Sequence, residues 1–153
     1  MAAPNPARTI LVVEDEPDMR IFLFNLLSAH GYCPICTETI DEGLASARDA
    51  CPDLIIINAM LPAEAGMRLY ISLRTSTRLC HIPVVMLSTL DSMTFRHWPG
   101  TRRSPSGRPI PAPEAFLMKP PEADELLAVV DRLCGATPAH NGKSGSGIAN
   151  IWD

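Results

Sequence analysis

Short runs of β-branched and aliphatic residues alternate along this chain with longer stretches whose apolar positions recur every three or four residues. Residues 9–13 (TILVV), 32–36 (YCPIC), 53–58 (DLIIIN), 83–87 (PVVML) and 115–118 (AFLM) have the length and composition of strands. The run 53–58 is the most informative of the five. It lies between Pro52 and Pro62 and has almost no polar position to turn toward solvent, so it reads as a strand covered on both faces. The intervening stretches read as helices. One opens at Pro17 and stops at Gly31, with Met19, Phe22, Leu23, Leu26 and Leu27 on its apolar face. A second covers residues 40–50 with Leu44 and Ala47 inward, and a third covers about 64–73 with Met67, Leu69 and Tyr70 available for packing. A last helix over 122–133 carries Leu126, Leu127, Val130 and Leu133 on one face and ends at Gly135. Strands and helices in this alternation predict an open, parallel α/β sheet, which binds ligands at the carboxyl ends of its strands.

One segment breaks the repeat. Residues 91–113 (DSMTFRHWPGTRRSPSGRPIPAP) fall where a helix between the fourth and fifth strands is expected, but prolines at 99, 105, 109, 111 and 113 forbid a regular helix through the second half. The fourth helix is therefore expected to be shortened to two turns over 91–98 or replaced by a Pro-rich loop of polyproline character. Residues 136–153 are rich in Gly, Ser and Asn and read as linker or disordered terminus. The expected organisation is an N-terminal extension (1–8), one α/β domain (9–134) and a flexible tail or linker (135–153).

Composition narrows the classes. A chain of 153 residues with 46% hydrophobic and 20% charged residues is that of a globular domain with a normal core. A net charge of −4 gives no general attraction to nucleic acid or to membranes, no apolar run is long enough to span a bilayer, and residues 1–8 lack the order of a signal peptide. Five cysteines without a scaffold rhythm point to a reducing compartment, and a cytoplasmic location is the expectation. Cys33 and Cys36 form a CxxC in a strand, where residues three apart face opposite sides, and no second CxxC completes a zinc site. They read as core-strand residues, with a thiol redox role as the alternative.

Chemistry gathers at the strand ends. Glu14 and Asp15 follow the first strand, Asn58 ends the third, Ser88 follows the fourth and Lys119 the fifth. The segments ILVVEDEP, PDLIIINAMLP with Gly66 following, IPVVMLS and FLMKP, in this order, resemble the receiver domain of bacterial response regulators over about residues 9–133. The resemblance implies a flavodoxin-like, doubly wound, five-stranded parallel sheet of order 2-1-3-4-5 and a signalling module of two-component phosphorelays, not an enzyme. It implies that Glu14, Asp15 and the backbone carbonyl of Met60 stand at a Mg²⁺ site and that Ser88 and Lys119 stand where phosphoryl oxygens bind. Phe116 takes the place of the switch aromatic, and the Lys119–Pro120 bond is expected to be cis. These residue types suit in-line phosphoryl transfer to a carboxylate, with cations neutralising charge on the oxygens.

Asn58 stands at the phosphoacceptor position and departs from the family. An amide is not the carboxylate nucleophile that forms an aspartyl phosphate, and the substitution removes one negative charge from the metal site, so Mg²⁺ binding is expected to be weakened or lost. Lys119 is expected to turn to the Asn58 oxygen or to Asp15. The resulting expectation is a receiver module that works by protein–protein binding without phosphorylation; an ordinary phosphoaccepting receiver carrying an Asp-to-Asn change is the alternative. A histidine kinase or a downstream effector is the implied partner, and a homodimer is compatible with the family. In the irregular segment, Arg96, Trp98, Arg102, Arg103 and Arg108 form a candidate docking surface for an acidic partner, against a plain reading as a solvated insertion. Nucleic acid is not expected, because no folded reading element accompanies the arginines.

Overall fold

The computed structural model describes residues 7–61, 65–89, 107 and 109–135. Strands β1 (Thr9–Val13), β2 (Cys33–Thr37), β3 (Leu54–Asn58), β4 (Val84–Ser88) and β5 (Ala115–Met118) alternate with helices α1 (Pro17–Ala29), α2 (Ile40–Ala50) and α3 (Ala65–Arg74), and α4 (Ala123–Cys134) follows β5. The five strands form one sheet in the order β2-β1-β3-β4-β5, with every neighbouring pair parallel. This is the expected flavodoxin-like order, with β1 and β3 side by side.

Strict alternation along the strands divides the core in two. Ile10, Val12, Leu54, Ile56, Val85, Leu87, Ala115 and Leu117 face α1 and α4, where Leu23, Leu27, Leu126 and Val130 meet them. Leu11, Val13, Ile55, Ile57, Val84 and Met86 face α2 and α3, where Ala47, Leu69, Tyr70 and Leu73 meet them. All five residues of β3 are buried, as its uninterrupted apolar run requires. Two details differ from expectation. β2 begins one residue later than its apolar pattern suggests, and Phe22 is 36% exposed because the inward stripe of α1 is narrower and centres on Leu23 and Leu27.

Of the irregular segment, residues 91–106 and Arg108 lie outside the described residues, and with them the expected change to the fourth helix and the positions of Arg96, Trp98, Arg102 and Arg103. The described end of the segment is partly buried. Ile110 is buried in the core cluster beneath α3, and Ala112 and Phe116 pack against the same cluster. Tyr70 donates its hydroxyl to the Pro111 carbonyl (2.6 Å), and Arg74 donates from Nε to the Tyr70 oxygen (2.8 Å). Arg74 also donates to the carbonyls of Cys80 and Ile82 (both 2.9 Å) and pairs with Glu114 at 2.5 Å. Glu114 in turn accepts from the Val84 amide (2.7 Å). One guanidinium, with its five donors in a fixed fork, thus joins the end of α3, the approach to β4 and the approach to β5.

Gly66 positions α3 against the carboxyl end of β3. A Cβ there would lie 2.5 Å from the Asn58 carbonyl oxygen and 3.1 Å from the Ala59 Cα, both backbone atoms that cannot rotate away. Gly66→Ala is therefore expected to push α3 off the strand end and to lower unfolding free energy by about 1–3 kcal/mol, the usual range for overpacking. Urea denaturation of the variant against the natural chain reads this directly, and an unchanged midpoint would show that α3 approaches less closely.

Candidate functional site

Each strand delivers its last polar residue to one edge because the sheet is parallel and the strands end in register. Asn58 pairs in register with Leu87, one residue before Ser88, and the Lys119 amide donates to the Ser88 carbonyl (2.9 Å). Glu14 leaves β1 still bonded to the sheet, its amide donating to the Thr37 carbonyl (3.0 Å). As a result Glu14, Asn58 and Ser88 are 1%, 3% and 2% exposed, which is exceptional for polar groups without partners.

Glu14 and Asn58 are each other's partners. The Asn58 amide nitrogen donates to Glu14 Oε2 and to Asp15 Oδ1, both at 2.9 Å, and Asn58 Oδ1 accepts from the Met60 backbone N–H at 2.9 Å. That last bond fixes which way the amide points, since the reverse orientation would set an oxygen against two carboxylates and an NH₂ against an N–H. Glu14 accepts further from the Glu16 amide (3.1 Å), and its own carbonyl accepts from Arg20 (2.8 Å). Burial is the main cause that holds the Glu14 carboxyl above the ordinary carboxylate range; the Glu16 amide and Lys119 oppose it. Ser88 donates from Oγ to the Met60 Sδ at 3.5 Å. The Lys119–Pro120 bond is cis, as expected.

Lys119 departs from expectation. Its ammonium, on a side chain only 7% exposed, pairs with Glu14 (3.1 Å) and Glu16 (3.2 Å) and not with the Asn58 oxygen or Asp15. The Asn58 oxygen accepts from the Met60 amide, and Asp15 accepts from the Asn58 nitrogen. Glu16, the N-cap residue of α1, was the site residue not singled out from the sequence. The run of three acids at 14–16 was the available signal, but nothing in the sequence says that the third turns back toward β5.

Phe116 lies half-buried on β5 against the α2–α3 side of the core, and the Met60 amide sits at the site. Cys33 and Cys36 lie on edge strand β2, Cys33 exposed and Cys36 half-buried with its thiol pushed up by burial, the opposite of what a redox dithiol needs. Among the described residues no helix is long and apolar enough to cross a membrane.

A sheet of this order, carrying acids after β1, an amide after β3, a hydroxyl after β4 and a lysine after β5, defines a class, and the comparison agrees. The family model of the response regulator receiver domain matches residues 10–97, more than half of the chain, and the chain belongs to that family. It is a receiver domain of the kind used in two-component signalling. The phosphate regulon transcriptional regulatory protein PhoB of Escherichia coli (strain K12) is 37% identical over 82 residues, covering 54% of this chain and 36% of PhoB. The chain thus spans about a third of the length of that relative. Protein PilH of Pseudomonas aeruginosa PAO1 is 27% identical over 122 residues, covering 80% of this chain and 93% of PilH. The crystal structure of the receiver domain of sensor histidine kinase PA1611 from the same organism, with a magnesium ion coordinated in its active-site cleft, shares the fold at a TM-score of 0.69 and 21% identity, covering 84% of this chain and 98% of that one.

The thiols give a direct check on the packing. Cys36 and Cys134 are expected to react with a water-soluble disulfide reagent at least about tenfold more slowly than the exposed Cys33, Cys51 and Cys80. Burial, aided by the Asp53 carboxylate, raises the Cys134 thiol from 9.0 to about 11. Because the folded value is the higher one, its contribution to stability is complete below pH 9.0 and is lost as the pH rises to about 11. Stability curves of Cys134→Ala are expected to fall less steeply across that interval.

Proposed function

We propose that this receiver module acts by protein–protein binding and without phosphorylation. The observation that carries the reading is the side chain at the end of β3. Asn58 is an amide, its nitrogen bonded to Glu14 and Asp15 and its oxygen to the Met60 amide. Phosphoryl acceptance needs a carboxylate oxygen free to attack, and an amide supplies none. Glu14, Asp15 and the Met60 carbonyl are the residues that would hold Mg²⁺ in a receiver with a third carboxylate, and Asn58 withholds that carboxylate here. Ser88 and Lys119 are the groups that would meet phosphoryl oxygens. In this chain Lys119 is engaged by Glu14 and Glu16.

The partner in this reading is a signalling protein, a histidine kinase or a downstream effector. The sequence offers the segment with Arg96, Trp98, Arg102, Arg103 and Arg108 as the surface for it, because arginine and tryptophan anchor interfaces efficiently. The second reading, an ordinary phosphoaccepting receiver with an Asp-to-Asn change, is favoured by the retention of Glu14, Asp15, Ser88 and Lys119 around one point.

Intact mass after incubation with acetyl phosphate and Mg²⁺ separates the two. The natural chain is expected to gain no phosphoryl group. A stable single adduct would defeat the proposal, and locating it would identify the acceptor. Asn58→Asp, treated in the same way, is expected to gain one adduct at residue 58 if the second reading describes the ancestral chemistry of the site.

A further inference from the structure

The acidic pair of this receiver sits where two carboxylates and a cation would normally be read together, and the hydrogen bonds test whether an ion fits. A divalent ion bridging Glu14 and Asp15 would stand about 2.1 Å from an oxygen of each. The Asn58 nitrogen already stands between them, 2.9 Å from Glu14 Oε2 and 2.9 Å from Asp15 Oδ1. Both amide hydrogens are used, and the opposite end of the amide is anchored on the Met60 backbone (2.9 Å), so the group cannot turn its oxygen toward an ion without giving up three bonds. The other carboxylate oxygen of Glu14 is occupied by the Lys119 ammonium (3.1 Å). The donor set therefore does not fit a resident Mg²⁺.

We infer that the Asn58 amide and the Lys119 ammonium together serve as the counter-cation of this site, so that the domain is built to hold its acidic edge without a divalent ion. This deepens the phosphorylation-independent reading and rests on it. Two carboxylates held 2.9 Å from a common point, one of them buried, require positive charge or donors between them. The amide supplies two donors with no charge of its own, and Lys119 supplies the charge from the far side of Glu14. A carboxylate at position 58 would reverse the situation, replacing the two donors by a third anion and making a cation necessary.

Metal titrations of the full chain test this. In buffer freed of metal with EDTA and then brought to about 10 mM Mg²⁺, the melting temperature of the natural chain is expected to stay constant, since a ligand that does not bind the native state does not shift it. Mn²⁺ is expected to leave the backbone NMR signals of Glu14, Asp15, Asn58 and Met60 without selective broadening. Asn58→Asp is expected to melt lower than the natural chain in EDTA and to recover as Mg²⁺ is added. Asn58→Ala removes the amide without adding charge and guards against a failure of the first variant to fold. It is expected to acquire both the Mg²⁺-dependent rise and the selective Mn²⁺ broadening. Saturable broadening or a Mg²⁺-dependent rise in the natural chain would overturn the inference, as would an Asn58→Ala protein that stays indifferent to both ions. A natural chain that binds Mn²⁺ yet takes no phosphoryl group would sink this inference alone, whereas a phosphorylated natural chain would sink the functional proposal beneath it.

Discussion

The NH₂ group of Asn58, shared between Glu14 and Asp15, is the interaction on which the carboxyl edge of the sheet depends. Glu14 is almost wholly buried, and a buried carboxylate beside a second acid is unfavourable unless donors and opposite charge surround it. The sheet order makes the solution local. β1 and β3 are neighbours, so the residue ending β3 faces the acids leaving β1, and Lys119 leaves β5 close enough to reach Glu14 and Glu16. Three strands that are not consecutive in the chain are tied together by five polar side chains. The amide bridges the two acids leaving β1, and the lysine pairs with the first and third acids of the run.

Much of the architecture was legible because the strands alternate so strictly. The run Leu54–Asn58 could hardly be anything but a central strand, and once β3 was placed, the polar residues at the strand ends had to converge. The misreadings have separable causes. Phe22 falls on the helical period of α1 along with Met19 and Leu23, but the sheet covers only a narrow stripe, and periodicity alone does not give the stripe's width. The register of β2 is set by its pairing with β1, from Thr9 with Cys33 to Val13 with Thr37, and an edge strand with half-buried residues shows no sharp pattern of its own. Lys119 was assigned the wrong partner because side-chain direction is a property of the assembled site. Spacing brought the lysine to the right edge, but the turn of Glu14 and Glu16 back toward β5 is not encoded in any residue pattern.

The family assignment fixes the scaffold and leaves the chemistry to individual atoms. Acids, amide, hydroxyl and lysine follow β1, β3, β4 and β5 in that order, and the amide nitrogen bridges the two acids. Buried polar networks of this kind are non-additive, so the worth of one member depends on the others. The same residue types can thus support a reaction centre or a purely structural polar cluster, and the difference lies in which groups are left without a bond to make.

Arg74 has a consequence of a different kind. Its guanidinium and the hydroxyl of Tyr70 hold the chain at Pro111 and Glu114, just ahead of β5, through bonds to α3 and to the approach to β4. The entry to the edge strand is therefore anchored on α3 and on the approach to β4. β5, and Lys119 at its end, thus take their position from contacts made before the strand begins. The knot works as a mooring point: it ties the last strand to the sheet ahead of the strand's own ladder.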